Sequence, residues 1–161
     1  MVKKYRGGGM GVLLFSLFDQ WTKQLAASSL KDKANYTILH DIFELEYLEN
    51  HGAAFGILQN QRWLLLMITL LIFIVLCIVY YRIPAGKHFL PLRFVTLLIG
   101  AGAVGNMVDR FVKGYVVDFF YFSLIDFPIF NVADCYVVVG VCLACLLILF
   151  YYKDEELETL W

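Results

Sequence analysis

Five polar residues lie at the ends of two strongly apolar stretches of this chain. Asn106 and Arg110 are four residues apart near the end of one stretch, and Asp118 follows shortly afterwards. Asn131 and Asp134 open the next stretch. Two carboxyl groups held close together in apolar surroundings cannot both ionise, so one stays protonated while the other acts as a base. Such a pair can activate water, and the sequence therefore suggests hydrolysis of a peptide bond without a covalent intermediate.

Most of these residues also have a purely structural interpretation. Asn131, with Asp134 three residues later, has the spacing of a helix-capping pair. Arg110 could neutralise the adjacent Asp109 or reach a lipid phosphate. Asp118 is harder to explain in this way, because the segment YVVDFFYF around it supplies no adjacent cation. A carboxylate in that setting needs a partner.

The composition of the chain predicts a membrane protein. The chain has 161 residues, of which 61% are apolar, and this is more than a soluble domain with a solvated surface carries. Its length allows a single domain over residues 1–161. Its net charge of -1 gives no basic face for nucleic acid, so partners are expected in the bilayer.

Four segments are long and apolar enough to cross a bilayer, which takes about 20 residues per helix. The first is interrupted by Asp19, Gln20 and Lys23, so residues 1–27 could instead be a signal peptide. The i,i+4 spacing of Asp19 and Lys23 favours a helix with an ion pair on one face. The predicted spans are about 9–30, 63–81, 92–110 and 133–152.

The lysines and arginines near the span ends predict that both termini are cytoplasmic. Segments 31–62 and 112–132 are then extracytoplasmic, and as the longer connections they are where a site is expected. The basic residues on the side of the termini are Lys3, Lys4, Arg6, Arg82, Lys87, Arg93 and Lys153.

Segment 42–50, IFELEYLEN, alternates apolar and acidic residues with the period of a β-strand. Such a strand could lie flat on the membrane surface. Its acidic residues are then expected to face water rather than to take part in chemistry, and they are Glu44, Glu46 and Glu49.

Two motifs in the sequence suggest sites that their context does not support. Residues 100–105 fit G-x-G-x-x-G, but they lie within a predicted span, where small residues let helices approach closely. Cys142 and Cys145 form C-x-x-C without a second ligand pair, so packed thiols are expected. No metal or other cofactor is expected. The histidines are also scattered along the chain, at His40, His51 and His88.

Taken together, these residues resemble the signal peptidase II family, the aspartyl membrane proteases of bacterial lipoprotein maturation. The matching blocks occur in the family's order and span most of the chain. They are DQWTK at 19–23, NHGAAFG at 50–56, GNMVDR at 105–110, GYVVDF at 114–119 and FPIFNVAD at 127–134. One departure is Cys135, where the family usually has serine.

The resemblance implies an all-α polytopic protein of the bacterial cytoplasmic membrane. It would have four transmembrane helices and a small β-containing extracytoplasmic segment, with the active site toward the extracytoplasmic face. It would act as a monomer, without a metal, and cleave prolipoproteins before a cysteine that carries diacylglycerol. The implied catalytic residues are Asp118 and Asp134. The implied substrate-binding or site-supporting residues are Asp19, Lys23, Asn50, Gly52, Asn106, Arg110, Asn131 and Ala133.

Three other functions compete with the peptidase. A proton-coupled transporter would also use intramembrane acids, but it predicts them near mid-span, whereas Asp118 and Asp134 lie toward span ends. A lipid head-group transferase could hold Mg²⁺ with Asp109, Asp118 and Asp134, and sensitivity to a chelator would reveal it. A packing or anchoring subunit would not explain why polar residues converge from several segments.

Overall fold

The computed structural model describes residues 6–53 and 56–158. Lys3 and Lys4, and also Ala54 and Phe55 of the second motif block, lie outside the described residues, as does the side chain of Arg6. The helices are α1 (Arg6–Leu30), α2 (Arg62–Arg82), α3 (Leu90–Val112), α4 (Val132–Phe150) and α5 (Asp154–Glu158). The strands are β1 (Tyr36–Leu39), β2 (Phe43–Asn50) and β3 (Val116–Tyr121).

Helix α3 is the centre of the helical bundle and packs against α1, α2 and α4. Its glycines make this possible. A Cβ atom on Gly102 would collide with the backbone carbonyl of Ala133, and one on Gly105 would lie 2.5 Å from the carboxylate of Asp19. The glycine-rich segment is therefore a helix-packing seam, as its sequence context predicts.

Within the described residues, three helices are long and apolar enough to cross a membrane: α2, α3 and α4. Helix α1 is the longest helix, with 25 residues, but Asp19 and Lys23 lie within it and it is not among the three. Helix α3 covers the third predicted span of about 92–110 and extends two residues beyond it at each end. Helix α3 starts at Leu90 and accommodates Pro91 in its first turn, where the missing N–H has no helical partner.

The three strands form one antiparallel sheet in the order β1-β2-β3. Strand β2 confirms the strand predicted in segment 42–50, although the burial of its residues does not alternate: Leu48 is exposed and the three acids are half-buried. Strand β3 was not predicted from its sequence pattern, because Val116, Val117 and Phe119 are all buried and the segment shows no alternation. In the β2–β3 pairing Leu48 lies opposite Asp118. The pairing therefore fixes the position of Asp118 relative to β2.

The sheet is fixed to the bundle by a small apolar core. Val117 and Phe119 of β3 pack against Ala26 and Leu30 in the last turns of α1. The end of α1 therefore supports β3, the strand that carries Asp118. The same helix also packs against α3. This arrangement brings residues from α1, β2, β3, α3 and α4 to one end of the bundle.

Candidate active site

The start of helix α4 is built on a capping box between Asn131 and Asp134. The side-chain oxygen of Asn131 accepts from the backbone N–H of Asp134, and the carboxylate of Asp134 accepts from the backbone N–H of Asn131, both at 3.1 Å. The predicted capping pair is therefore present. The capping box does not use the side-chain nitrogen of Asn131, which donates to Oδ1 of Asp118. The side chain of Asn131 therefore connects the start of α4 to Asp118.

Asp118 lies in the middle of β3 and is 1% exposed. Besides the Asn131 bond, its carboxyl accepts a hydrogen bond of 2.8 Å from Nδ2 of Asn50, at the end of β2. Burial, and then the negative charge of Asp134, raise the pKa of Asp118 to about 7, against the opposing effect of these two amide hydrogen bonds. Asp118 therefore holds a proton close to neutral pH.

Asn106 of α3 is the amide partner of Asp134. Its Nδ2 donates to Oδ1 of Asp134 at 2.8 Å, while its Oδ1 accepts from Lys23 at 2.8 Å and from Asn131 at 3.2 Å. These donors fix which way the Asn106 amide points. The carboxylate of Asp134 accepts two N–H hydrogen bonds at the start of α4, one from the side chain of Asn106 and one from the backbone of Asn131.

A second polar group, the ion-pair cluster, consists of Asp19, Lys23 and Asp109. Nζ of Lys23 lies 2.9 Å from Asp19 and 3.0 Å from Asp109, and all three side chains are fully buried. Lys113 adds a second cation 2.9 Å from Asp109. Asp19 also accepts the backbone N–H of Ala133 at 2.9 Å, so the cluster ties α1 to α3 and to the start of α4.

Sequence reasoning missed the role of Asp109. In the described part of the chain Asp109 pairs with Lys23 and Lys113, and the suggestion that Arg110 neutralises it was wrong. Asp109 also lies 3.4 Å from the backbone N–H of Val117, next to Asp118 in β3. The i,i+4 spacing of Asp109 and Lys113, the same as that of Asp19 and Lys23, was the signal that could have revealed it.

Arg110 instead holds the loop that follows β2. Its guanidinium donates to the backbone carbonyl of Gly52 at 2.8 Å, and the N–H of Gly52 donates to the side chain of Asn50 at 2.9 Å. Gly52 is buried, and a Cβ atom there would lie 2.8 Å from the carbonyl oxygen of Ile57. Gly52 thus allows the loop to fold back closely on Ile57, while its backbone carbonyl accepts from Arg110 and its N–H donates to Asn50.

These groups border a cavity of about 820 Å³, a size typical of ligand sites. Asn50, Asn106, Arg110, Asp118 and Asp134 form its polar part. Part of the apolar wall falls within the motif blocks at 114–119 and 127–134 and at Cys135, whereas Leu48 and the three valines of α4 gave no local signal. The residues of the apolar wall are Leu48, Val116, Phe127, Pro128, Ile129, Phe130, Cys135, Val137, Val138 and Val139, together with the loop residues Ala53, Gly56 and Gln59.

Comparison with known sequences identifies relatives over nearly the whole chain. A model of the signal peptidase II family matches residues 11–150. The lipoprotein signal peptidase of Halothermothrix orenii is 41% identical over 145 residues, covering 90% of this chain and 94% of that protein. The lipoprotein signal peptidase of Clostridioides difficile is 39% identical over 145 residues, covering 90% and 95%.

Two solved structures, each described as a bacterial membrane enzyme studied by the in meso method, share the fold. The structure at 2.3 Å resolution matches with a TM-score of 0.79 and 32% identity, over 92% of both chains. The structure at 1.9 Å resolution matches with a TM-score of 0.76 and 32% identity, over 91% of this chain and 94% of the other. On the sequence and structural matches together, the chain belongs to the signal peptidase II family.

Proposed function

We propose that this chain removes signal peptides from prolipoproteins, using water that Asp118 and Asp134 activate. Membership of the family makes it a membrane peptidase of the aspartic type, and its relatives carry the name lipoprotein signal peptidase. The observation that carries the proposed mechanism is that Asn131 donates to both carboxyl groups at the polar part of a cavity, to Asp118 through its side-chain amide and to Asp134 through its backbone N–H. The bond cleaved is the one before the diacylglyceryl-modified cysteine.

In the proposed reaction, Asp134 is the base and Asp118 the acid. Asp134 takes a proton from water as the oxygen adds to the scissile carbonyl carbon, and Asp118 gives its proton to the carbonyl oxygen. The C–N bond then breaks as Asp134 gives the proton it took from water to the amine nitrogen, while Asp118 takes back a proton from one hydroxyl of the tetrahedral intermediate. The products are a carboxylic acid and a free amino terminus, and both acids return to their starting state. The raised pKa of Asp118 supports this assignment, because an acid with a pKa near 7 still holds its proton at the working pH.

The remaining polar groups would position the substrate and the acids. Asn50 and Asn131 orient Asp118, and Asn106 orients Asp134. Arg110 and Gly52 hold the loop at the edge of the cavity. The apolar walls are suited to the acyl chains and to the apolar signal segment, neither of which requires hydrogen bonds.

The membrane topology is part of the same proposal. Helix α1 would be a fourth span, because its 25 residues extend for about 37 Å and its two charges pair with each other and with Asp109. Segments 31–62 and 112–132 would then lie outside the cytoplasm and carry the sheet, with both termini inside. Residues 1–161 would form one peptidase domain, active as a monomer.

The test is cleavage of a diacylglyceryl-modified prolipoprotein by the full-length protein in detergent. Asp118→Asn and Asp134→Asn should each lower the cleavage rate by at least about 10³-fold, because each removes one of the two proton-transfer groups. Asp32→Asn is the matched control, since Asp32 is exposed and asparagine tolerates its left-handed backbone. The control should cleave at the wild-type rate.

Circular dichroism should show that both inactive variants remain folded. Full activity of either variant would exclude the carboxyl pair as the catalytic group. Inhibition by a chelator would favour the metal-dependent transferase, although two lysines already neutralise Asp109. Cleavage unaffected by the chelator supports the pair acting alone.

A further inference from the structure

A second cavity, the α1–α2 groove, lies apart from the carboxyl pair. Its volume is about 410 Å³, and it is formed by α1, α2 and α3. Helix α3 packs against both of the other helices, whereas α1 and α2 make little contact with each other. Most of the side chains that line the groove are apolar, and they include Val12, Leu13, Phe73, Leu76 and Leu97.

Glycines on two helices provide the space. A Cβ atom on Gly9 would have no neighbour within 4 Å, and one on Gly100 would meet its nearest neighbour, Phe73, only at 3.7 Å. The groove is more than twice the size of an apolar cavity of ~150 Å³ that binds benzene. It is therefore large enough for a segment of an extended hydrocarbon chain.

Besides Tyr80 and Tyr81, two residues that line the groove carry a hydroxyl group, and both of these aliphatic hydroxyls are already used within the protein. Ser16 donates to the backbone carbonyl of Ala101 at 3.1 Å, and Thr96 donates to that of Leu92 at 2.8 Å. Neither hydroxyl hydrogen is left for a polar ligand along this part of the groove. The ligand portion that fits here is apolar.

One guanidinium, that of Arg93, lies at one end of the groove. The guanidinium of Arg93 lies 5.8 Å from the ring of Tyr80, which lines the groove, and it donates to the backbone carbonyl of Ile83. Its Nε atom is buried and has no hydrogen-bond acceptor among the described residues. Helix α2 ends at Arg82, next to the lining residue Tyr81. This end is suited to an anionic group.

An apolar groove with a basic end matches one class of ligand. We propose that the α1–α2 groove binds an anionic phospholipid of the bilayer, with an acyl chain between α1 and α2 and its phosphate near Arg93. The bound lipid supplies the contacts that α1 and α2 do not make with each other. This site is independent of the peptidase chemistry, because none of its lining residues borders the catalytic cavity.

Native mass spectrometry of the full-length protein in detergent tests the proposal. The probes are phosphatidylglycerol and phosphatidylcholine with identical acyl chains. The wild type should retain one phosphatidylglycerol per chain and prefer it over phosphatidylcholine by about fivefold, the effect expected of one basic residue near a lipid phosphate. Arg93→Gln should remove the preference, and Arg93→Lys should keep it.

Filling the groove tests the position of the acyl chain. Gly100→Leu should reduce lipid retention at least tenfold, whereas Gly7→Leu, which makes the same change at an exposed position outside the groove, should not. Gly9→Leu provides the same test if Gly100→Leu fails to fold. Equal retention of the two lipids by the wild type, or unchanged retention by the folded groove variants, would mean surface lipid only and would overturn the proposal.

Discussion

The molecule buries acidic side chains in two neighbouring places, and it treats their charge differently. In the ion-pair cluster, Asp19 and Asp109 share Lys23, and the three side chains are inaccessible to solvent. The carboxyl pair, Asp118 and Asp134, receives amide hydrogen bonds instead of a cation at ion-pair distance. Burial of an acid therefore does not by itself indicate catalysis in this fold.

The difference lies in what remains available for chemistry. In the ion-pair cluster the carboxylates are fixed in place by lysine, with Lys23 between Asp19 and Asp109 and Lys113 on the other side of Asp109. An acid that is surrounded by amides and lies close to another acid keeps a proton near neutral pH, as the pKa of Asp118 illustrates. Only the second group borders the larger cavity. The ion-pair cluster is thus the framework against which the reactive pair is held.

The largest effect on stability is expected when the cation is removed from the ion-pair cluster. Lys23→Gln leaves the charges of Asp19 and Asp109 without their shared partner, and it should lower the free energy of unfolding by about 3–5 kcal/mol. The double variant Asp19→Asn with Lys23→Gln should lose less, because Asp109 still has Lys113. Denaturation in detergent, followed by circular dichroism, measures both.

The control for this prediction is a surface ion pair. Lys31 lies 2.8 Å from Glu49, and both side chains are substantially exposed to solvent. Lys31→Gln should therefore leave the unfolding transition unchanged within error. If Lys23→Gln were as stable as Lys31→Gln, the ion-pair cluster would not be the framework described above.

The stability of the protein should depend on pH through the carboxyl pair. Because the pKa of Asp118 is raised, the folded protein holds a proton between about pH 4 and pH 7 that the unfolded chain has lost, so stability falls as the pH rises through this window. The Asp118→Asn variant has no carboxyl group at this position, so its stability should not fall in this way as the pH rises. Relative to the variant, the wild type should lose at most about 4 kcal/mol between pH 4 and pH 8.

Denaturation at pH 4, 6 and 8 measures this difference, and Asp32→Asn serves again as the exposed control. The same titration should appear in turnover, since cleavage needs the proton on Asp118 and should decline above about pH 7. Parallel pH profiles of stability for the wild type and for Asp118→Asn would contradict the raised pKa.

The local parts of both clusters could be predicted from sequence spacing. The i,i+4 pair of Asp19 and Lys23 and the capping pair at the start of α4 depend on residues within one turn of each other. Strand β2 was recognisable because only one of its faces is apolar. In each case the interaction is encoded by neighbours along the chain.

The remaining parts depend on contacts between distant segments. The bond from Lys23 to Asn106 joins residues 83 positions apart, and it exists because Gly105 lets α1 approach α3. Strand β3 is buried on both faces and its sequence shows no alternation. Its position beside β2 depends on packing against the end of α1. The family resemblance named the residues of the site, but it did not indicate that Asp109 takes two cations.

Asn106 connects the two clusters, and its loss should have an intermediate effect. Asn106→Ala removes a donor to Asp134 and an acceptor for Lys23, and it should lower the free energy of unfolding by about 1–3 kcal/mol. Asn106→Asp keeps the acceptor but presents an added charge to Asp134. Compared with Asn106→Ala, it should therefore recover more of the stability than of the cleavage rate. Measuring unfolding and turnover for both variants separates the role of Asn106 toward Lys23 from its role toward Asp134. Equal loss of both in the two variants would contradict this division.

The smallest effect is expected from Arg110→Lys. Among the described residues, Arg110 makes one hydrogen bond, to the carbonyl of Gly52, and no ion pair with Asp109. A lysine keeps the positive charge and can reach one carbonyl, so cleavage should fall by about tenfold or less, whereas Arg110→Met should lose much more. If Arg110→Lys were as inactive as Arg110→Met, the planar guanidinium itself would be required. Arg110 would then belong with the carboxyl pair, in contact with substrate, rather than with the framework that positions the loop.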